Sequence, residues 1–148
     1  MPHLTRRALT LIRLPWAVKC ALPEASLAAV VVESLIERVP LPKLCAILGV
    51  TLNREHGQQP NAHKIGAEGS LLFQALLIAY RNLGLRPTCL KLALCFGFLV
   101  RMEGPVLYVG CATGGGAFLA HAWLTWGARC FSWGADDNVG YSSLGTNG

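Results

Sequence analysis

The sequence predicts an α+β fold in which N-terminal helices and a central cysteine-bearing helix pack on a small antiparallel sheet. Three observations predict it. From Ser26 to Val100 apolar residues run in long stretches interrupted by glycine, proline and one polar segment. After Gly104 the pattern changes to short β-branched and aromatic runs. Within those, Gly127-Ala128 has the Gly-X form that a type II′ hairpin turn requires. Helices first and paired strands after is the α+β order.

Taken along the chain, SLAAVVVESLIERV (Ser26 to Val39) reads as a helix with Glu33, Glu37 and Arg38 on its polar side, ended by Pro40. LPKLCAILG (Leu41 to Gly49) is a shorter helix closed by its glycine. NREHGQQPNAHKIGAEG (Asn53 to Gly69) is the one long polar stretch and reads as a loop or linker. SLLFQALLIAYRNLG follows as a buried helix, with Ser70 as N-cap and Gly84 as its stop. In RPTCLKLALCFGFLVRMEG (Arg86 to Gly104), Pro87 suits a helix entry and Thr88 can cap it. The run from Leu90 to Arg101 is apolar on all sides except at Lys91, as in a helix covered on most faces. Pro105 to Gly110 is then a strand, Cys111 to Gly116 a flexible loop, Ala117 to Trp126 a strand, and Arg129 to Trp133 its hairpin partner. This divides the chain into an N-terminal helical part (1–52), a loop or linker (53–69) and a C-terminal core (70–148), forming one compact unit.

Composition narrows the function. The 148 residues are 53% apolar and 14% charged, enough for one core. Yet no uninterrupted apolar span reaches 18 residues: Ala25 to Val32, Leu71 to Tyr80 and Leu92 to Val100 are each too short to cross a bilayer. Arg13 and Pro15 interrupt what would otherwise resemble a signal peptide, so the N-terminus is read as a retained amphipathic segment that packs on the domain. Lys19 before Cys20 does not suit a lipoprotein cleavage site. The net charge of +5 is scattered, which argues against a nucleic-acid partner and fits an acidic peptide or an anionic membrane surface equally well. The six cysteines (Cys20, Cys45, Cys89, Cys95, Cys111, Cys130) have no C-x-x-C spacing, and no histidine cluster completes a metal site, so reduced thiols and neither metal nor cofactor are expected. His56 and His63 are read as solvated loop residues.

One constellation carries chemistry. Cys89 in the first turn of its helix would meet unpaired N–H groups and the positive end of the helix dipole, which favour a thiolate. His121, within a predicted strand, is the histidine placed in regular structure, with Ala120 and Ala122 leaving room around it and Trp123 able to wall a site. With the turn at Gly127-Ala128, residues whose numbers total 255 face each other, so His121 lies opposite Gly134 with Ser132 and Asp136 as diagonal neighbours on its face. Asp136 is then the carboxylate able to orient His121, whereas Asp137 points the other way; alternatively GADDN is a turn whose acids face water. Gln74, a conceivable oxyanion donor, is read as an ordinary helix residue. Gly114 to Gly116 lacks the flanking residues of a phosphate cradle.

The order RPTCL (Arg86 to Leu90), apolar helix, strand, AHAW (Ala120 to Trp123) resembles the transglutaminase-like leader peptidases of bacterial lasso-peptide biosynthesis. RVPLPKLCAILG (Arg38 to Gly49) looks like that family's N-terminal helical part, so the likeness extends over the chain beyond residue 25. It implies a transglutaminase/papain-like core and a cysteine peptidase with Cys89 and His121 as its catalytic pair. The family's aspartate is expected around Trp133, whereas the acids here come later, at Asp136 and Asp137. The implied substrate is a ribosomally made precursor peptide, cleaved in the bacterial cytoplasm, with peripheral membrane contact as an option. The implied partners are a separate leader-recognition protein and an ATP-dependent lasso cyclase. Two other readings use the same shell: a non-catalytic peptide-binding or membrane-surface scaffold, and an acyltransferase acting on an amine.

Overall fold

The computed structural model describes residues 14–53, 67–114, 117–133 and 142–143. The chain forms α1 (Trp16–Leu35), α2 (Leu41–Leu48), β1 (Thr51–Leu52), α3 (Ala67–Leu83) and α4 (Cys89–Leu99). A 3₁₀ turn (Arg101–Glu103) follows, and then β2 (Val106–Gly114), β3 (Ala117–Trp126), β4 (Arg129–Ser132) and β5 (Ser142–Ser143). The order is α+β, as the sequence predicts, with the helices on one side of the sheet.

The helix ends follow from glycine. Gly49 takes φ 72 and Gly84 φ 69, left-handed values that cost other residues a Cβ clash. There the chain reverses: Val50 N–H donates to Cys45 O and Leu85 N–H to Tyr80 O, satisfying carbonyls that a helix end leaves open. Gly127 has φ 54 while Ala128 does not have positive φ, which is the type II′ pattern. The hairpin register is the expected one, from Trp126↔Arg129 to Trp123↔Ser132.

Several elements differ from expectation. Helix α1 begins ten residues early, at Trp16, and runs through Pro23. A proline lacks the N–H for an interior helix bond, but Val18, Ala25, Ala28, Ala29 and Val32 form one buried stripe across it, and packing outweighs the lost bond. It stops at Leu35 rather than Val39. Helix α3 starts at Ala67, so Ser70 lies inside it and the linker is shorter than 53–69. Helix α4 ends at Leu99, and Arg101 belongs to the 3₁₀ turn. Cys111 to Gly114 is not a loop: β2 continues through it, held by Ala117 to Ala120 across the ladder, pairing that small residues permit but do not announce. The sheet is mixed rather than antiparallel, because β1 pairs with β2 in parallel, as Thr51↔Val106 and Leu52↔Leu107. Two residues are too few to show a period. β5 adds to the same edge farther along, at Gly110 and Cys111.

Helix α4 is the centre of the core. Leu92, Ala93, Leu94, Cys95, Phe96 and Gly97 are all buried. Phe96 stacks on Phe131 of β4 at 4.5 Å between ring centroids and tilts against Trp126 of β3 at 5.1 Å, while Phe73 of α3 meets Phe131 edge-on at 5.2 Å. Lys91 Nζ, 2.7 Å from Glu33 Oε1, ties the first turn of α4 to α1. A Cβ on Gly97 would stand 2.7 Å from Val50 Cγ2 and 3.1 Å from Leu124 Cδ1. Gly97→Ala is therefore expected to destabilise the protein by about 1–3 kcal/mol despite alanine's higher helix propensity, because a stiff β-branched neighbour must move. Chemical denaturation checks this through a lowered midpoint at unchanged slope.

Candidate active site

Cys89 is the first residue of α4. Thr88 caps the helix from an extended conformation (φ −124, ψ 162); its Oγ1 accepts from Lys91 N–H at 3.3 Å and its carbonyl accepts from Leu92 N–H at 2.9 Å. The amides of Cys89 and Leu90 have no partner within the helix, as for the opening residues of any α-helix. Pro87 ahead of the cap keeps the chain extended up to that point. The Cys89 side chain is half-buried.

All six cysteines are free, and burial sorts them. Burial pushes the Cys45 thiol up to about 11. It pushes Cys95 up to about 12, against a hydrogen bond at 3.4 Å from the Tyr80 hydroxyl that acts the other way. The Cys130 thiol is raised by burial too. These three are held as neutral core thiols. Cys20 on α1 and Cys111 on β2 are accessible, but neither stands at a helix head.

His121 sits in β3, 3% exposed, opposite Gly110 of β2. Its Nε2 lies 2.7 Å from Ser132 Oγ, and its ring faces Trp123 at 6.1 Å and 17°. Trp123 in turn stacks on Tyr108 at 5.6 Å. Burial holds the imidazole below its usual pKa by disfavouring the charged form.

The alternation of β3 separates the two candidate residues. Ala122, Leu124 and Trp126 face the core under α4, together with Phe131, and Cys89 packs against the edge of that same core. His121 and Trp123 therefore lie on the other face, with Tyr108 and Ser132. Among the described residues no hydrogen bond joins Cys89 to His121. Gln74 is an exposed residue of α3. Asp136, Asp137, Gly134, His56 and His63 lie outside the described residues, as does the segment carrying Arg6, Arg7 and Arg13.

The expected register places Ser132 beside His121, although the carboxylate expected to orient the imidazole is Asp136. A hydroxyl two residues along the facing strand was the available signal. No group of three His, Cys, Asp or Glu among the described residues is arranged to hold a metal ion, and no helix among them is long and apolar enough to cross a membrane.

A histidine buried in its neutral form makes stability depend on pH. Its folded pKa lies below the unfolded value of 6.5, so the unfolded chain binds the proton first and the fold weakens as pH falls through that value. The thermal midpoint is expected to drop from pH 7.5 to pH 5.5, and His121→Gln should flatten that dependence, measured by circular dichroism against the parent chain.

Compared with known proteins, residues 35–146 match the family model described as the transglutaminase-like superfamily. No curated protein and no solved structure matches the chain.

Proposed function

Because the chain belongs to the transglutaminase-like superfamily, which includes cysteine peptidases, we propose that it is a cysteine peptidase that removes the leader from a ribosomally made lasso-peptide precursor. The observation that carries the reading is Cys89 as the first residue of a capped, enclosed helix, the one accessible thiol with helix-head amides beside it. The RPTCL and AHAW motifs support the substrate class through their resemblance to lasso leader peptidases.

In this mechanism Cys89 Sγ attacks the scissile carbonyl, and the Cys89 and Leu90 amides at the head of α4 receive the oxyanion. His121 takes the thiol proton and delivers it to the leaving amine. Water, deprotonated by His121, then releases the leader as a free carboxylate. No hydrogen bond joins Cys89 to His121 among the described residues, so this mechanism requires a rearrangement that brings Sγ within reach of the imidazole. Asp136 is proposed as the carboxylate that stabilises the imidazolium. A separate leader-recognition protein presents the precursor, and an ATP-dependent cyclase uses the new amine.

A second reading, a transglutaminase-like shell that binds peptide without cleaving it, is favoured by one observation: Cys89 packs against the core under α4, whereas His121 lies on the other face of β3.

Incubation with the precursor, with and without the leader-recognition protein, separates these readings. Cleavage at the leader–core junction leaving a free carboxylate is expected, with loss of all cleavage in Cys89→Ala and a drop of about 10²-fold in Asp136→Asn. Activity retained in Cys89→Ala would overturn the peptidase; a leader joined to an amine would identify an acyltransferase. Iodoacetamide near neutral pH should label Cys89 ahead of Cys111 and Cys130, and equal rates would favour the scaffold.

A further inference from the structure

We propose that Glu33 of α1 is a positioning residue for the nucleophile: through its ion pair with Lys91 it sets the rotation of the first turn of α4, and so the direction in which Cys89 points. The inference deepens the peptidase reading and rests on it for its catalytic consequence.

Lys91 is the one charged residue in CLKLALCFGFL, the whole of α4. A cation there stands against the positive end of the helix dipole, so helix stability alone does not call for it. Its ammonium instead leaves the helix and meets Glu33, Nζ to Oε1 at 2.7 Å, with the two side chains 18% and 30% exposed. Glu33 Oε2 is buried with no hydrogen-bond partner among the described residues. Lys91 is therefore what compensates the carboxylate for its lost water. The Glu33 charge reaches into the interface of α1, α3 and α4, where it adds to the burial that keeps the Tyr80 hydroxyl and the Cys95 thiol protonated.

Close packing of α4 begins at Leu92, whereas Cys89, Leu90 and Lys91 are each only partly buried. In that first turn two directional contacts act on one residue: Lys91 N–H donates to Thr88 Oγ1 at 3.3 Å, and Lys91 Nζ donates to Glu33 Oε1. Successive residues of a helix are about 100° apart, so Cys89 lies about 200° round the axis from Lys91. Tying Lys91 to α1 thus turns Cys89 away from α1, toward the flank where the sheet packs. A pair so placed contributes little net stability, because desolvation offsets its attraction. It does exclude rotations that would leave the carboxylate buried alone.

The test separates positioning from stability by removing both charges together in the full chain. Glu33→Leu/Lys91→Met keeps the net charge, and apolar replacement of a buried pair leaves a fold at least as stable. Its denaturation midpoint should match or exceed the parent's, while kcat for cleavage of the precursor falls about tenfold at unchanged KM. In protein labelled with ¹³Cβ-cysteine, the Cys89 signal should shift and broaden, with those of Cys111 and Cys130 unchanged. Lys91→Met alone strands the Glu33 carboxylate and should lower the midpoint more than Glu33→Gln does. A double variant with the parent's kcat, or with the parent's Cys89 signal, would overturn the inference. So would a midpoint below the parent's, which marks the pair as structural. If the parent cleaves nothing, the peptidase reading fails while the Cys89 signal still decides the role of Glu33.

Discussion

Helix α4 is apolar on almost every side, and a helix so composed has to be enclosed. The rest of the chain is arranged by that requirement. One flank is taken by α1 and α3, the other by β2, β3 and β4, and α2 covers the approach to β1. The Phe96–Phe131 stack is where the two layers meet. Aromatic rings at 4.5 Å exclude water and fix the lateral position of the sheet relative to the helix, so the cap at Thr88 and the start of the helix at Cys89 inherit their place from the core. The transglutaminase-like family match over residues 35–146 corresponds to this assembly, from the end of α1 through the sheet.

The candidate site therefore draws on two environments. Cys89 belongs to the interface between helices and sheet, and its thiol differs from Cys45, Cys95 and Cys130 chiefly in being partly open to solvent. His121 belongs to the opposite face, in a small cluster with Trp123, Tyr108 and Ser132. Burial of His121 within it favours a neutral imidazole.

Much of this was legible from residue order because particular amino acids carry strong local constraints. Gly49, Gly84 and Gly127 marked two helix ends and the hairpin turn, since few other residues accept those angles, and the turn then fixed the β3–β4 register by arithmetic. The burial of α4 followed from its lack of a polar face. What was missed depended on neighbours distant in sequence. Pro23 reads as a boundary until Val18 and Ala25 are seen to bury on one side. Thr51-Leu52 becomes a strand only because β2 lies beside it. Cys111 to Gly114 looks like a loop until Ala117 to Ala120 pair with it. Ser132 was within the predicted geometry, but a neutral hydroxyl carries no signal of charge.

Gly97 gives the helix a mechanical character. With Val50 and Leu124 drawn in to where a Cβ would stand, α4 is notched against axial translation. Cys89 lies eight residues away, about 12 Å along the axis at the usual rise. The axial position of the helix start, and of the thiol it carries, is thus set by a residue that has no side chain.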